Sequence, residues 1–440
     1  MRADEREGSE TKMRLRWVVV ILGALLIGPG ATAGWAQQGA ADVIVIFREG
    51  VSHPDRDAAV RRAGALLRFN YATIRAAAAH VPHAAAMQLL QQHPDVVAII
   101  PDRPVQAHAE VVPAGVQRIG AAPGQSAYTG AGVGVAIADT GIDLNHLDLK
   151  PFGSVCFYAY SSSCQDDNGH GTHVGGIVAA RDNDRDVVGV APGATLYAVK
   201  VLDKTGSGSD STVMAGLDWV ADNANLVNPP IRVVNMSLGR PGSLGDNPAL
   251  RAMVQAVHNL GISIVVSAGN DSSKTVSQQV PATYPEVMAV ASSTALDGSN
   301  AGCKSFRAII PKDTASYFTT DGAYNLATGI GVTVSAPGAE KENVTKSCFA
   351  SSVGILSTRL GGGTTRMSGT SMAAPHVAGV VALMWQKALT LGGLLLPEDA
   401  RLQIRTGVDR GGVAPLNSPT GGYTFDEERE GILFAPSTLD

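Results

Sequence analysis

Few of these 440 residues are charged (17%) or aromatic (5%), and the 34 basic residues are outnumbered by 39 acidic ones, for a net charge of -5. The Lys and Arg form no run and no face interleaved with aromatics, so nucleic acid is not an expected partner. The apolar stretch at 17–27 is shorter than the roughly 20 residues a spanning helix needs. Cysteine is scarce, with only Cys156, Cys164, Cys303 and Cys348. Their spacing does not resemble a zinc ribbon. No internal repeat or low-complexity tract is present. With 45% hydrophobic residues and 50 Gly, the composition is that of a compact globular chain, not a disordered one.

What is present organises into three parts. Arg14 and Arg16 precede the apolar stretch, and the small residues Ala31, Thr32, Ala33, Gly34 and Ala36 follow it. That order predicts a secretory signal over 1–36, with Met13 as an alternative start and an uncleaved anchor as the competing reading. The expected location is therefore extracellular or periplasmic. An exported chain meets an oxidising compartment, so disulfides are expected rather than free buried thiols. Four cysteines allow three pairings; Cys156–Cys164, closing a short loop, with Cys303–Cys348 is the favoured one.

The second part, 41–108, predicts strands at 43–47, 70–74, 77–81 and 96–100 and helices at 57–67 and 84–92. The order βαββαβ describes a small α+β domain of ferredoxin-like type, and 104–110 reads as an exposed linker. In the third part, 109–440, nearly continuous apolar strands at 134–138, 195–201, 232–235 and 262–267 alternate with helical stretches at 211–221 and 247–260. Such strands imply a mainly parallel sheet covered on both faces, a three-layer α/β/α architecture. Functional groups gather at the carboxyl ends of strands in such sheets.

Three segments carry chemistry. Val135-Ala136-Ile137-Ala138-Asp139-Thr140-Gly141 ends a buried strand on a carboxylate. Asn168-Gly169-His170-Gly171-Thr172-His173-Val174-Gly175-Gly176 opens a helix on a histidine. Gly369-Thr370-Ser371-Met372-Ala373-Ala374-Pro375-His376 puts a serine at the mouth of an apolar helix, with Pro375 expected near its first turn, where a missing N–H costs little. A serine hydroxyl needs a neutral imidazole to take its proton, and a buried carboxylate to hold the imidazole tautomer. The oxyanion that forms needs donors already in place. The Ser371 N–H at a helix start is one, and Asn270, ending Ser267-Ala268-Gly269-Asn270, is a candidate for the other.

Together with Asn235-Met236-Ser237-Leu238-Gly239, these segments, in the order Asp, His, Ser, resemble the subtilisin family of serine proteases over 112–387. The resemblance implies a secreted serine endopeptidase with Asp139, His170 and Ser371 as triad and Asn270 in the oxyanion hole. It implies that Ser237, Leu238 and Gly239 with Ser267, Ala268 and Gly269 wall the primary specificity pocket. Gly206, Ser207 and Gly208 then pair with extended substrate as an added strand. Small walls predict broad specificity with a preference for large apolar side chains. The leading domain is similar to the family's inhibitory propeptide, cut near His108-Ala109-Glu110 by the enzyme itself and acting as an intramolecular inhibitor of a monomer. The resemblance also implies a structural calcium held by Asp148 and Asn183 side chains and the carbonyls of Arg181, Arg185 and Val187, with the two Arg side chains turned outward.

Competing readings leave more unexplained. Asp139-Thr140-Gly141 fits an aspartic protease, but no second Asp-Thr-Gly supplies the partner carboxylate. An α/β-hydrolase needs Gly-x-Ser-x-Gly and another chain order. Gly130-Ala131-Gly132-Val133-Gly134 precedes its strand, where a dinucleotide loop would follow it. His173 lacks the companions of a zinc pair, and His376 reads as structural. A catalytically silent peptide-binding homologue is the alternative function, and a serine-reactive probe separates it from an enzyme. The segments 300–331 and 341–363 depart from the family pattern, and no structure is predicted for them.

Overall fold

A computed structural model describes residues 40–102, 110–149, 152–153, 155–160, 162–409 and 430–439. The expected signal segment, with Met13, and residues 104–109 of the expected linker lie outside the described residues. The described residues divide into two compact units, one on each side of the 107/108 boundary.

The first unit runs β1 (Ala41–Phe47), α1 (His53–Arg62), β2 (Leu66–Asn70), β3 (Ala76–Val81), α2 (Ala84–Gln92) and β4 (Val96–Pro101). Its sheet is antiparallel with order β2-β3-β1-β4, the ferredoxin-like arrangement. Val43, Val45 and Phe47 alternate inward from β1 and meet Val60, Met87 and Leu90 from the two helices. The helix expected at 57–67 starts and ends earlier. The Ser52 side chain caps it by accepting from the Asp55 N–H, and a proline sits in its first turn. Gly64 at φ 79° then stops it, a conformation that costs glycine little. Leu66 and Leu67, whose spacing extended the helix on paper, open β2 instead, so the strand expected at 70–74 lies earlier too.

The second unit begins α3 (Ala114–Arg118), β5 (Gly134–Asp139), β6 (Phe157–Tyr158), α4 (His170–Ala179), β7 (Thr195–Lys200), α5 (Asp210–Asn223), β8 (Ile231–Met236), β9 (Arg240–Pro241), α6 (Pro248–Asn259) and β10 (Ser263–Ser267). It continues β11 (Gln279–Val280), β12 (Met288–Thr294), β13 (Val332–Ala339), β14 (Lys341–Val344), β15 (Ala350–Val353), β16 (Ile355–Thr358), β17 (Thr364–Met367), α7 (Thr370–Thr390), α8 (Pro397–Thr406) and α9 (Ala435–Leu439). Seven strands form a parallel sheet in the order β13-β12-β10-β8-β5-β7-β6. Its two faces bury separate cores. Val135 and Ile137 of β5 join Val174 of α4 and Val377 of α7, whereas Ala136 and Ala138 join Leu217 of α5 and Val254 of α6. That is the three-layer α/β/α arrangement.

Three strands of this sheet, β6, β12 and β13, were not anticipated. In β13, Pro337 and Gly338 break the apolar pattern, but β13 is the sheet edge, where a missing N–H leaves no partner unsatisfied. The segment 300–331 is largely irregular. It is pinned by isolated bridges, Ser293 to Ala315 and Thr275 to Asp321. The segment after 341 forms the hairpins β14–β15 and β16–β17. Disulfides join Cys156 to Cys164 and Cys303 to Cys348, the latter tying the irregular segment to the first hairpin.

Candidate active site

The parallel sheet delivers its carboxylate at the end of β5. Asp139 is fully buried, and its Oδ1 accepts the Thr140 N–H at 2.7 Å. His170 is the first residue of α4. Its Nδ1 lies 2.7 Å from Asp139 Oδ1 and 3.0 Å from Oδ2. A carboxylate can only accept, so Nδ1 carries the proton and Nε2 keeps a lone pair. Burial alone would lower the His170 pKa, but the charge and hydrogen bond of Asp139, with the charge of Asp166, outweigh it and raise the value.

Asp166, which the sequence reading passed over, organises this corner. Its carboxylate is buried and accepts from Thr140 Oγ1, the Asn168 and Gly169 N–H groups, and the N–H and Oγ1 of Thr172, all within 2.9 Å. Three of these donors are backbone N–H groups in and just before the first turn of α4, which have no helical partner of their own. A carboxylate four residues ahead of a helix-opening histidine was the available signal. Lys200 was missed as well. Its ammonium is fully buried at the end of β7, donating to the Thr140 carbonyl and, at 2.6 Å, to Asp167.

Ser371 is the second residue of α7. Pro375 is the sixth, deeper than expected, and its missing N–H would have bonded the carbonyl of Ser371. Ser237 compensates: its hydroxyl donates to the Ser371 carbonyl at 2.8 Å. The Ser371 hydroxyl in turn donates to the Ser237 carbonyl at 3.3 Å, so it is not turned to His170, although both line the same cleft. Asn270 accepts the Thr370 N–H and hydroxyl on Oδ1, at 2.9 and 3.0 Å, which leaves its Nδ2 as a donor. Gly369, at φ 153°, passes close by; a Cβ there would stand 3.2 Å from that Nδ2.

The cleft holding His170, Ser371 and Asn270 has a volume of about 1100 Å³ and is lined by Gly206, Ser207, Gly208, Ser237, Leu238, Gly239, Ser267, Ala268 and Gly269. His173 and His376 lie outside it, fully buried. Their ring nitrogens face the carbonyls of Ile355 at 3.0 Å and Met372 at 2.8 Å. Burial pushes both pKa values down to about 4, so both rings are neutral at pH 7.

A second cluster joins the loop after α4 to Asp148, between β5 and β6. Asp148 is fully buried and accepts the Val187 N–H at 3.2 Å on Oδ2, while its Oδ1 and the Asn183 Oδ1 are buried without a partner. The Arg181 N–H donates to the Asp148 carbonyl at 3.0 Å. Glu110, expected only at the end of the linker, accepts the Asn183 N–H at 2.9 Å. Among the described residues no group of three or more His, Cys, Asp or Glu could hold a metal; a hard-cation site of amide and carbonyl oxygens falls outside that description.

A buried carboxylate on a histidine, in an open cleft that a helix-opening serine also lines, supplies the groups that the serine hydrolase class uses. The family model described as "Subtilase family" matches residues 130–415. Subtilisin DY of Bacillus licheniformis is 38% identical over 286 residues, covering 64% of this chain and 88% of its own. Subtilisin E of Bacillus subtilis (strain 168) is 33% identical over 384 residues, 84% of this chain and 88% of its own. The crystal structure of a cold-adapted subtilisin-like serine proteinase is similar with a TM-score of 0.54 and 30% identity, over 75% of this chain and 99% of that one. The chain belongs to the subtilase family and is a serine-type endopeptidase acting on proteins or peptides.

Proposed function

We propose that the protein is a secreted protease that cleaves peptide bonds through Ser371, His170 and Asp139, and that it is released from its own leading domain by self-cleavage. The observation that carries this reading is the 2.7 Å contact between Asp139 and His170 at the edge of the cleft that Ser371 lines. A change of χ1 rotamer would turn the Ser371 hydroxyl from the Ser237 carbonyl toward His170 Nε2; such contacts commonly tighten only with substrate bound. The hydroxyl then attacks the carbonyl carbon while Nε2 takes its proton. Asp139 stabilises the imidazolium without being protonated itself. The Ser371 N–H and Asn270 Nδ2 receive the oxyanion; in the subtilisin family itself, losing one such donor costs about 2.7–4 kcal/mol. Nε2 passes the proton to the leaving amine, and water releases the acyl group by the same route.

The cleft between the Gly206-Ser207-Gly208 and Ser237-Leu238-Gly239 edges suits an extended peptide held by its backbone. That favours broad specificity, with a large apolar side chain against the small Ser267, Ala268 and Gly269 walls. Secretion is supported by the two disulfides, and no described helix is long and apolar enough to cross a membrane. The propeptide reading of 41–108 is supported by its separate core and by the match to subtilisin E, whose share of the chain exceeds what 108–440 makes up. Calcium is supported by the two partnerless buried oxygens of Asp148 and Asn183. With the Arg181, Arg185 and Val187 carbonyls, and Glu110 close by, they would form an oxygen cage whose cation adds stability.

Ser371→Ala tests the central reading. Wild-type protein should react with a fluorophosphonate probe and mature to a shorter form. The variant should lose the label and, produced alone, stay full length. Labelling that survives the substitution would refute the nucleophile, and maturation that survives it would refute self-cleavage.

A further inference from the structure

The two edges of the cleft each run into one half of an ion pair. Asp210, the first residue of α5, stands three positions after Ser207. Arg240, the first residue of β9, directly follows Gly239. The Arg240 guanidinium donates from Nε to Asp210 Oδ1 at 2.9 Å and from Nη2 to Oδ2 at 2.5 Å, a two-pronged contact. Its Nη1 donates to the Asp246 carboxylate and to the Pro241 carbonyl. Asn247 Nδ2 adds a hydrogen bond to Asp210 Oδ2 at 2.7 Å. The guanidinium is thus held on both sides. Space around it is tight: a Cβ on Gly242 would come within 2.8 Å of both Arg240 Nη1 and a Val280 methyl.

Asp210 and Arg240 line the same cleft as Val213 and Leu250, two buried apolar side chains 7% and 2% exposed. An apolar floor of that kind would hold a large apolar side chain. The charged pair in the same lining would not. Bulk placed there must either break the contact or strip the water from its charges, and both are unfavourable.

We infer that Asp210 and Arg240 determine specificity: they strap the two cleft edges together over Val213 and Leu250 and close that subsite to bulky apolar side chains. The inference rests on the cleft binding extended peptide. Being half-exposed, the pair contributes little to folding, so its effect is read in the choice of substrate.

The experiment is digestion of a mixed peptide library by the wild-type enzyme and by Arg240→Ala and Asp210→Ala. Cleavage sites are read by mass spectrometry and normalised within each enzyme, so a change in overall activity cancels. In both variants Phe, Tyr and Leu should rise roughly ten-fold at one position relative to the cut, with the other positions unchanged. Asp210→Asn keeps the shape, loses the charge and gives the same reading should an alanine variant not fold. A variant profile matching the wild type overturns the strap alone. A wild-type enzyme that cuts nothing overturns the peptide-cleft reading, and the strap with it.

Discussion

His170 stands at the start of α4 because Asp166 holds that start together, and the two residues should be separable by their pH behaviour. As the proposed general base, His170 must be neutral to work, so kcat/KM should rise with pH through its pKa. That pKa lies above the ordinary imidazole value of 6.5, because Asp139 and Asp166 favour the charged ring. Asp166→Asn removes one of those charges. An amide also offers a single acceptor oxygen to the five donors now on the carboxylate. Two effects should follow: a fall in kcat of roughly a hundred-fold from a displaced His170, and a shift of the acid limb to lower pH. A purely structural role for Asp166 would lower the activity and leave the limb where it was. Single residues divide sharply in how legible they were. Asp139, His170 and Ser371 announce themselves by local sequence. Asp166 and Lys200 do not, because their role is to satisfy groups brought together only when β5, β7 and α4 meet.

The long helix α7 owes its start to a compensation between elements. Pro375 removes the N–H that would bond the Ser371 carbonyl, and the Ser237 hydroxyl, just past β8, takes its place. Ser237→Ala should therefore cost about 1–3 kcal/mol, the cost of a carbonyl left without a donor. Pro375→Ala restores the N–H, so on the Ser237→Ala background it should recover part of that loss; on the wild-type background the gain should be smaller. Urea unfolding of all four proteins in Ser371→Ala form, free of self-digestion, closes the cycle. Additive effects would mean that the two residues do not share the carbonyl. Elements were legible where pattern and environment agreed, as in the buried parallel strands and α2, whose range matches the expected 84–92. They were not where one residue overrode the pattern. Gly64 cut α1 short of Leu66 and Leu67, and Pro337 with Gly338 interrupted the apolar pattern of β13.

On the scale of the molecule, the α/β/α architecture could be read from apolar strands alternating with helices, whereas 300–331 and 341–363 could not. Order in 300–331 comes from isolated bridges, a disulfide and buried polar groups, and in 341–363 from two short hairpins whose pairing no long apolar run announces. Glu342 is one of those polar groups. Burial pushes its carboxyl up to about 7 despite hydrogen bonds from the Tyr317 N–H and Ser352. Asp148, in the proposed cation cage, is likewise raised to about 7 by burial and the neighbouring charges of Asp186 and Glu110. A raised carboxyl pKa means that the folded state holds a proton the unfolded chain has released. Each group's contribution is therefore complete below its unfolded value, 3.8 for Asp148 and 4.5 for Glu342, and is lost as pH rises through about 7. Only one of the two should respond to calcium. In chelator, the unfolding temperature should fall between pH 5 and pH 7; with calcium, the Asp148 share of that fall should vanish, because the cation takes the place of the proton. At pH 7 and a calcium concentration about a hundred-fold above Kd, the gain should be about 2.7 kcal/mol, or several degrees. In Asp148→Asn the calcium response should shrink while the Glu342 slope persists. Identical melting curves with calcium and with chelator, across that pH range, would mean that the two partnerless oxygens of Asp148 and Asn183 do not hold a cation.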